Sequence, residues 1–370
     1  MKAVHTCLLV TAALSLSACA TSSSRSFKQG AFHHAVHPYR VVHADGTELA
    51  PGSDWVLDNY QLDEAGQPVS PKTGPKYEHT IELDSDGDGA SDVSEQLASY
   101  DLLFRSRKTD GRIWLRSPPI GTDLRQTELR ILARKYVESI ADGGAILVDL
   151  EGGKITVEPR YAVKVVSVAE GTLDGHPAFE TTFDLATMGE AQLDPNAVSE
   201  RVRVVIMRAP FRYEAKGVHF PVLLMAGYSN RPEDFERELP AFEHVLARIQ
   251  LMSEAETILS AKNELFACKP EATTLSVVVL VQPSGQIDWA GAHAPGERSP
   301  SPPPNDTTQL PSCIDRALGV ARFQPRDQRH RVTVTVDKSA TLRAPRGFVR
   351  ATSPADPGEP PARSDTATEL

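Results

Sequence analysis

The chain has 370 residues, which at the usual domain size of about 150 residues suggests two or three domains. Charged residues make up 24% and aromatic residues 6%, and this composition excludes a collagen-like repeat, a wholly disordered chain and a small disulfide scaffold. The net charge of −10 argues against a nucleic-acid-binding protein. No apolar run of about 18 residues follows the N-terminus, so a protein with several membrane spans is not expected.

The N-terminus carries the strongest signal in the chain. A positive start and an apolar stretch over residues 7–16, too short to span a bilayer, are typical of a secretory signal peptide. Residues 16–19 read LSAC, which resembles the lipobox of bacterial lipoproteins. The resemblance implies removal of residues 1–18 and a diacylglycerol lipid on Cys19, with acyl chains such as palmitate that anchor the protein to a membrane. An ordinary cleaved signal peptide with a chance cysteine is the alternative.

Sorting follows from the next residue. Ala20, rather than an aspartate, follows the cysteine. By resemblance to the sorting of enterobacterial lipoproteins, this favours the outer membrane. We therefore expect a protein of the cell envelope, attached by its lipid to the periplasmic face or the cell surface.

Two cysteines remain once the signal peptide is removed and Cys19 is lipidated, namely Cys268 and Cys313. An even pair in an oxidising compartment is expected to form one disulfide. Closing a loop of this size stabilises a domain by about 4 kcal/mol on the chain-entropy model. Two buried free thiols are the alternative.

Residues 19–37 are small, polar and without periodicity, which predicts a flexible tether between lipid and domain. The tether contains His33, His34 and His37. These histidines could bind a metal ion, but in a flexible segment they are expected to be solvated.

Residues 38–252 have a mixed pattern that predicts one α+β domain. An apparent capping box at Asp123 and Gln126 begins an amphipathic helix that continues to Ile140. A second amphipathic helix is expected over residues 235–249. Apolar and β-branched runs predict strands at residues 39–42, 77–83, 101–106, 113–116, 162–169, 179–185, 202–208 and 218–226.

This order of a helix, antiparallel strands and a terminal helix resembles the PsbP-like α/β/α sandwich. The stretch 219–250 (HFPVLLMAGYSNRPEDFERELPAFEHVLARIQ) carries the likeness best. The resemblance implies an antiparallel sheet with covering helices and a non-enzymatic accessory or binding role.

Residues 253–343 predict a smaller α+β domain with a Pro-rich insertion at 295–309. Cys268, the turn Ser284-Gly285, Cys313-Ile314 and Arg322-Phe323 resemble the C-terminal domain of the gliding-motility AgmX/PglI family, which is itself similar to the TonB C-terminal domain. The last 27 residues, 344–370, are rich in Pro, Ala and charge and predict a disordered tail.

One twelve-residue segment, 84–95 (DSDGDGASDVSE), matches an EF-hand calcium loop position by position. The pattern predicts a structural Ca²⁺ ion because five crowded carboxylates repel one another without a cation. A solvated Asp/Gly turn between two strands is the alternative. The candidate ligands are Asp84, Asp86, Asp88, Ala90 through its carbonyl, Asp92 and Glu95.

The sequence contains no H-E-x-x-H, Walker A or G-x-S-x-G motif. We therefore expect a non-enzymatic envelope lipoprotein that binds an envelope protein partner. Two alternatives stay open: an envelope hydrolase whose residues come together from distant segments, and a calcium-stabilised structural lipoprotein.

Overall fold

The computed structural model describes residues 27–351, except positions 29, 44–48, 65–67, 75, 89, 143–144, 150–153, 159–160, 188–197, 301–311 and 320. The described chain is an α+β protein with mostly antiparallel strands and few helices, which confirms the predicted fold class. The expected signal peptide, Cys19 and residues 352–370 lie outside the described residues. Among the described helices, none is both long and apolar enough to cross a bilayer.

The elements are numbered in chain order. The strands are β1 (Phe27–Lys28), β2 (Ala31–His33), β3 (Tyr39–Val42), β4 (Trp55–Leu57), β5 (Tyr60–Leu62), β6 (Pro68–Pro71), β7 (Glu78–Leu83), β8 (Val93–Ala98), β9 (Leu102–Ser106), β10 (Arg112–Arg116), β11 (Ala145–Asp149), β12 (Lys154–Glu158), β13 (Tyr161–Leu173), β14 (His176–Thr187), β15 (Val198–Ala215), β16 (Val218–Asn230), β17 (Ile249–Leu251), β18 (Thr274–Val281), β19 (Ile287–His293), β20 (His330–Asp337) and β21 (Phe348–Arg350). The helices are α1 (Leu129–Asp142), α2 (Pro232–Leu246), α3 (Glu254–Leu259), α4 (Lys262–Cys268) and α5 (Cys313–Ala317).

An eight-stranded antiparallel sheet is the centre of the large domain, in the order β21-β13-β14-β15-β16-β10-β9-β4. Its long hairpins turn at Asp174-Gly175 and Lys216-Gly217. All four of these residues have positive φ angles, between 50° and 86°. Two consecutive positive φ angles are what a two-residue type I′ turn requires, and Asp-Gly is among its favoured sequences.

Each face of this sheet is covered by a helix. Val204 and Ile206 pack in the cluster beneath α1, whereas Val205 and Met207 pack in the cluster beneath α2. This alternation follows from the two-residue period of a strand. Within the sheet, the Trp114 ring of β10 lies directly over Gly227 of β16, where a Cβ atom would be 2.1 Å from the indole. The predicted antiparallel sheet with covering helices is thus confirmed.

Strands β1, β2 and β3, near the start of the described chain, join β17 in a four-stranded sheet. This part of the chain therefore differs from the predicted flexible tether over residues 19–37. Ala31 and Phe32 are buried in the core, and the Phe27 ring makes an edge-to-face contact with Tyr60. The segment is ordered because its few apolar side chains are buried in or packed against the hydrophobic core of the large domain.

The small domain is a three-stranded sheet, ordered β19-β18-β20, covered by α3, α4 and α5. Cys268 at the end of α4 and Cys313 at the start of α5 are disulfide-bonded, with Cα atoms 5.9 Å apart. The predicted disulfide is confirmed. Helix α3 begins with a capping box in which Ser253 and Glu256 exchange hydrogen bonds.

Three local predictions are wrong. A 3-10 turn (Thr122–Gln126) precedes α1, which begins at Leu129, so the expected capping box at Asp123 and Gln126 does not start the α-helix. The second helix ends at Leu246, and Ile249 belongs to β17. Residues 348–350 of the predicted disordered tail form β21, which pairs with β13 because Phe348 packs against the large core.

The two domains meet at the buried carboxylate of Asp174. Its two oxygens accept hydrogen bonds from Arg343 at 2.5 and 2.7 Å, from the Leu251 N–H at 2.8 Å and from the Arg346 N–H at 3.1 Å. The Asp174 side chain is 0% exposed and the Arg343 side chain is 32% exposed, so the carboxylate is the buried half of the ion pair. Arg343 also contacts Glu256 of α3 at 2.7 Å and thereby connects the hairpin turn to the small domain.

We predict that Asp174→Asn lowers the free energy of unfolding by about 1–3 kcal/mol, because the amide brings N–H groups against donors that need an acceptor, while Arg343 keeps Glu256 as its remaining counter-charge. Urea denaturation measures the loss. Asp327→Asn is the matched control, since Asp327 also bridges the domains, to His219 at 3.0 Å, but its side chain is 84% exposed. We expect the control to change stability by less than about 0.5 kcal/mol. Equal losses in the two variants would contradict the prediction.

Candidate functional site

The acidic loop predicted to bind calcium connects β7 to β8. These strands pair as an antiparallel hairpin, with Leu83 opposite Val93. Both of these residues are buried against Ala215 and Phe220 of the central sheet. Hydrophobic packing therefore fixes the two ends of the loop.

Three of the predicted ligands come together. Carboxylate oxygens of Asp84, Asp86 and Asp88 lie within 4.8 Å of one another. Asp84 is 7% exposed, and its carbonyl accepts a hydrogen bond from the Thr122 N–H at 3.0 Å. The Asp84 carboxylate accepts the Gly87 N–H at 2.6 Å, so backbone donors also hold the cluster together.

The other predicted ligands make different contacts. Asp92 accepts hydrogen bonds from the backbone and the hydroxyl of Ser85. Glu95 accepts a hydrogen bond from the Tyr213 hydroxyl at 3.4 Å. Ala90 donates its N–H to Asp88 at 2.7 Å. The loop thus gathers the first three acids of the EF-hand pattern, and Asp92 and Glu95 are not part of that cluster.

A pocket of about 220 Å³ lies beside this hairpin, and no sequence motif indicated it. Its walls include Tyr60, Tyr77, Tyr100, His79, Leu97 and Arg116. His79 comes from β7 and Leu97 from β8, so one hairpin carries both the acidic loop and a wall of the pocket.

The pocket contains a serine, a histidine and an aspartate in contact. The His34 Nε2 atom is 3.2 Å from the Asp101 carboxylate and 3.5 Å from the Ser117 hydroxyl oxygen. The His34 Nδ1 atom accepts the Val36 N–H at 3.1 Å and the His37 N–H at 2.9 Å. Because Nδ1 is an acceptor, the proton of the neutral ring is on Nε2, which then donates to Asp101. A base that activates Ser117 needs a lone pair on that same atom.

Asp101 is held as a charged carboxylate. It also accepts a hydrogen bond from the Tyr39 hydroxyl at 2.7 Å. Burial alone raises the pKa of Asp101, but His34 and the hydrogen bonds from His34, Tyr39 and Ser117 outweigh it and lower the pKa below its usual value. The buried carboxylate therefore already has donors for both of its oxygens.

His37 is the second histidine that the sequence assigned to a solvated tether. Its side chain is buried and stacks between the rings of His34 and Phe211, each at a centroid distance of 4.8 Å. Burial, with a smaller contribution from His34, lowers the pKa of His37 to about 3. His33 is also buried, so the three histidines belong to the folded domain. The signal that could have located them is the run of aromatic residues Phe27, Phe32 and Tyr39 around them.

Comparison with known proteins gives partial likenesses to solved structures alone. No family model matches the chain, and no curated protein is significantly similar to it. Among solved structures, it is similar to cyanobacterial PsbP (CyanoP) from Synechocystis sp. PCC 6803, with 12% sequence identity and a TM-score of 0.27. The match covers 48% of this chain and 84% of that chain. A TM-score this low supports no further conclusion about the fold or the function of this chain. The likeness of the small domain to AgmX/PglI stays a prediction.

We predict that Ca²⁺ raises the melting temperature and that chelator removes the increase, because a ligand that binds the folded state stabilises it. At a Ca²⁺ concentration 100-fold above Kd, the gain of about 2.7 kcal/mol corresponds to roughly 5 °C or more. The double variant Asp86→Asn, Asp88→Asn should lose the response. Glu271→Gln, an exposed acid of the small domain, should keep it. Equal melting temperatures of the wild type with calcium and with chelator would contradict the proposed calcium site.

We predict that His37 makes the fold acid-sensitive. Its pKa is about 3 in the folded state and 6.5 in the ordinary state, so between these values only the unfolded chain takes up the proton. Stability from this group is complete above pH 6.5 and falls by about 1.4 kcal/mol per pH unit as the pH drops toward 3. His37→Gln should flatten the dependence measured by urea denaturation, whereas His244→Gln on α2 should not. An unchanged slope in His37→Gln would show that other groups cause the loss.

Proposed function

We propose that this protein is a non-enzymatic binding lipoprotein of the cell envelope and that the pocket beside β7 and β8 is its binding site. The observation that carries the proposal is the orientation of His34. Its Nδ1 atom accepts two backbone N–H groups, and its Nε2 atom faces both Asp101 and Ser117. This arrangement fixes the polar groups of the pocket in place, which suits recognition of a bound molecule.

The lipid anchor is proposed from the LSAC sequence and Cys19. The first strand of the described residues begins at Phe27, eight residues after the cysteine. Eight residues extend at most about 30 Å, so the large domain would be held close to the outer membrane surface. A short anchor of this kind favours a binding partner in or near the same membrane.

The acidic loop is proposed to hold Ca²⁺ in a structural role. An ion among Asp84, Asp86 and Asp88 would offset the repulsion of their charges and stiffen the end of the hairpin that forms a wall of the pocket. In the alternative of a calcium-stabilised structural lipoprotein, calcium-dependent stiffening of this hairpin would be the main role of the loop.

The small domain is proposed to be AgmX/TonB-C-like, on the residues quoted from its sequence. Its disulfide closes the small domain internally, and the ion pair of Arg343 with Asp174 connects it to the large domain. A module of this kind would supply a surface for an envelope protein partner, in addition to the pocket.

An envelope hydrolase is the second candidate function, because Ser117, His34 and Asp101 meet in one pocket. A serine nucleophile would require the His34 proton to move from Nε2 to Nδ1, and Nδ1 to give up the two backbone N–H groups that it accepts, so that Nε2 offers a lone pair to Ser117. Turnover of ester substrates that is lost in Ser117→Ala would support this candidate. Labelling of Ser117 by a fluorophosphonate probe would support it independently.

We predict that a photoreactive amino acid in place of Tyr77 forms an adduct in native envelopes, because Tyr77 lines the pocket. Intact-mass analysis detects a small-molecule adduct, and a gel shift detects a protein. The same amino acid in place of Arg134, on the exposed side of α1, is the control and should form no matching adduct. Equal adducts at both positions, or none at Tyr77, would count against a binding role for the pocket.

We also predict that mass spectrometry of the mature protein finds Cys19 as the N-terminal residue, carrying a diacylglycerol lipid. Cys19→Ala should leave an uncleaved precursor, because the lipid-dependent peptidase requires the modified cysteine. A mature chain that starts elsewhere, without lipid, would refute the anchor.

A further inference from the structure

The pocket beside β7 and β8 has a size that limits its ligand. A cavity of about 150 Å³ holds benzene, and drug-sized ligands occupy about 300–1,000 Å³. The pocket measures about 220 Å³. It therefore has room for one ring and one small substituent.

Its walls favour a flat apolar ring. Tyr60, Tyr77 and Tyr100 line the pocket, together with Leu97 and Phe32. Aromatic side chains attract planar ligands through stacked and edge-to-face contacts. A single aromatic ring fits both the size and the lining.

Arg116 supplies the unused polar group. Its guanidinium lies 3.5 Å from the His79 Nε2 atom and 5.7 Å from the centre of the Tyr100 ring. Among the described residues, no carboxylate lies within 4 Å of it. A guanidinium is always charged and has five N–H donors in a fork that matches a carboxylate. Most of that capacity is free for a ligand.

The other charges of the pocket agree with an anion. Lys72 lines the same pocket, 5.7 Å from the centre of the Tyr77 ring and 3.6 Å from Asp58. Among the described residues of the lining the one acid is Asp101, and its oxygens already accept hydrogen bonds from His34 and Tyr39. A cationic ligand would be repelled by Arg116 and Lys72, and the carboxylate of Asp101 is already engaged by its own donors.

We infer that this pocket binds a small aromatic carboxylate, with the carboxylate on Arg116 and the ring among the three tyrosines. The inference rests on the proposed binding role and gives that role its ligand class. The ring contributes burial and stacking, and the Arg116 fork selects the charge and orients the ligand.

The test uses three probes of one shape and different charge: benzoate, benzamide and benzamidine. Each is titrated into the full chain, solubilised from membranes in detergent, at constant ionic strength and followed by calorimetry. We expect benzoate to bind at least tenfold more tightly than benzamide and benzamidine, because only the anion uses the charged fork.

Arg116→Gln should weaken benzoate at least tenfold, and Arg116→Lys should give an intermediate affinity. Arg112→Gln is the matched control, because Arg112 is exposed on the same strand, outside the pocket. Thermal melts of each variant show whether it is folded, and the comparison of probes on the unaltered chain stands without any variant.

The outcomes separate the ligand class from the binding role. Tighter binding of benzamidine or benzamide than of benzoate, or a benzoate affinity that is unchanged in Arg116→Gln, overturns the inference that the ligand is an aromatic carboxylate. If a Tyr77 adduct forms in envelopes while benzoate does not bind, the binding role stands and the ligand class falls. If neither is observed, both fall.

Discussion

The buried carboxylate of Asp174 is the interaction on which the arrangement of the two domains depends. It sits in a tight turn whose backbone has positive φ, and four donors from distant parts of the chain converge on it. A buried carboxylate without these donors would be strongly destabilising. The folded state therefore requires the turn, the end of β17 and the segment around Arg343 to meet at one point. This requirement also brings β21 onto the edge of the sheet, because Asp174 donates its N–H to the Gly347 carbonyl at 2.9 Å.

The hairpin of β7 and β8 connects the two sites of the large domain. One end carries the cluster of Asp84, Asp86 and Asp88, and its strands contribute His79 and Leu97 to the pocket. Tyr213 also lines the pocket and donates to Glu95 of the same hairpin. Order in the acidic loop and the shape of the pocket are thus mechanically related. Calcium, if bound, would act on the pocket through this hairpin.

Much of the fold could be predicted from local patterns. The strands from 162 to 226 follow from β-branched runs, and their turns follow from Asp-Gly and Lys-Gly pairs. The Cys268–Cys313 disulfide follows from the even pair of cysteines that stands outside the N-terminal segment. The acidic loop is visible because its six positions lie within twelve residues. The sequence pattern could not show that Asp92 and Glu95 lie outside the cluster, because their positions depend on hydrogen bonds from Ser85 and Tyr213 in the folded chain.

The sequence by itself determined the α+β class, the paired cysteines and the position of the acidic loop, because each depends on residues close together in the chain or on simple pairing. Only the tertiary structure decided the pocket. Asp101 and Ser117 follow His34 by 67 and 83 residues, and the three residues share no sequence motif. The tertiary structure also turned a polar segment with three histidines into part of the core. A few aromatic side chains in that segment gain more from burial than the segment loses in flexibility, and only the folded chain shows where they are buried.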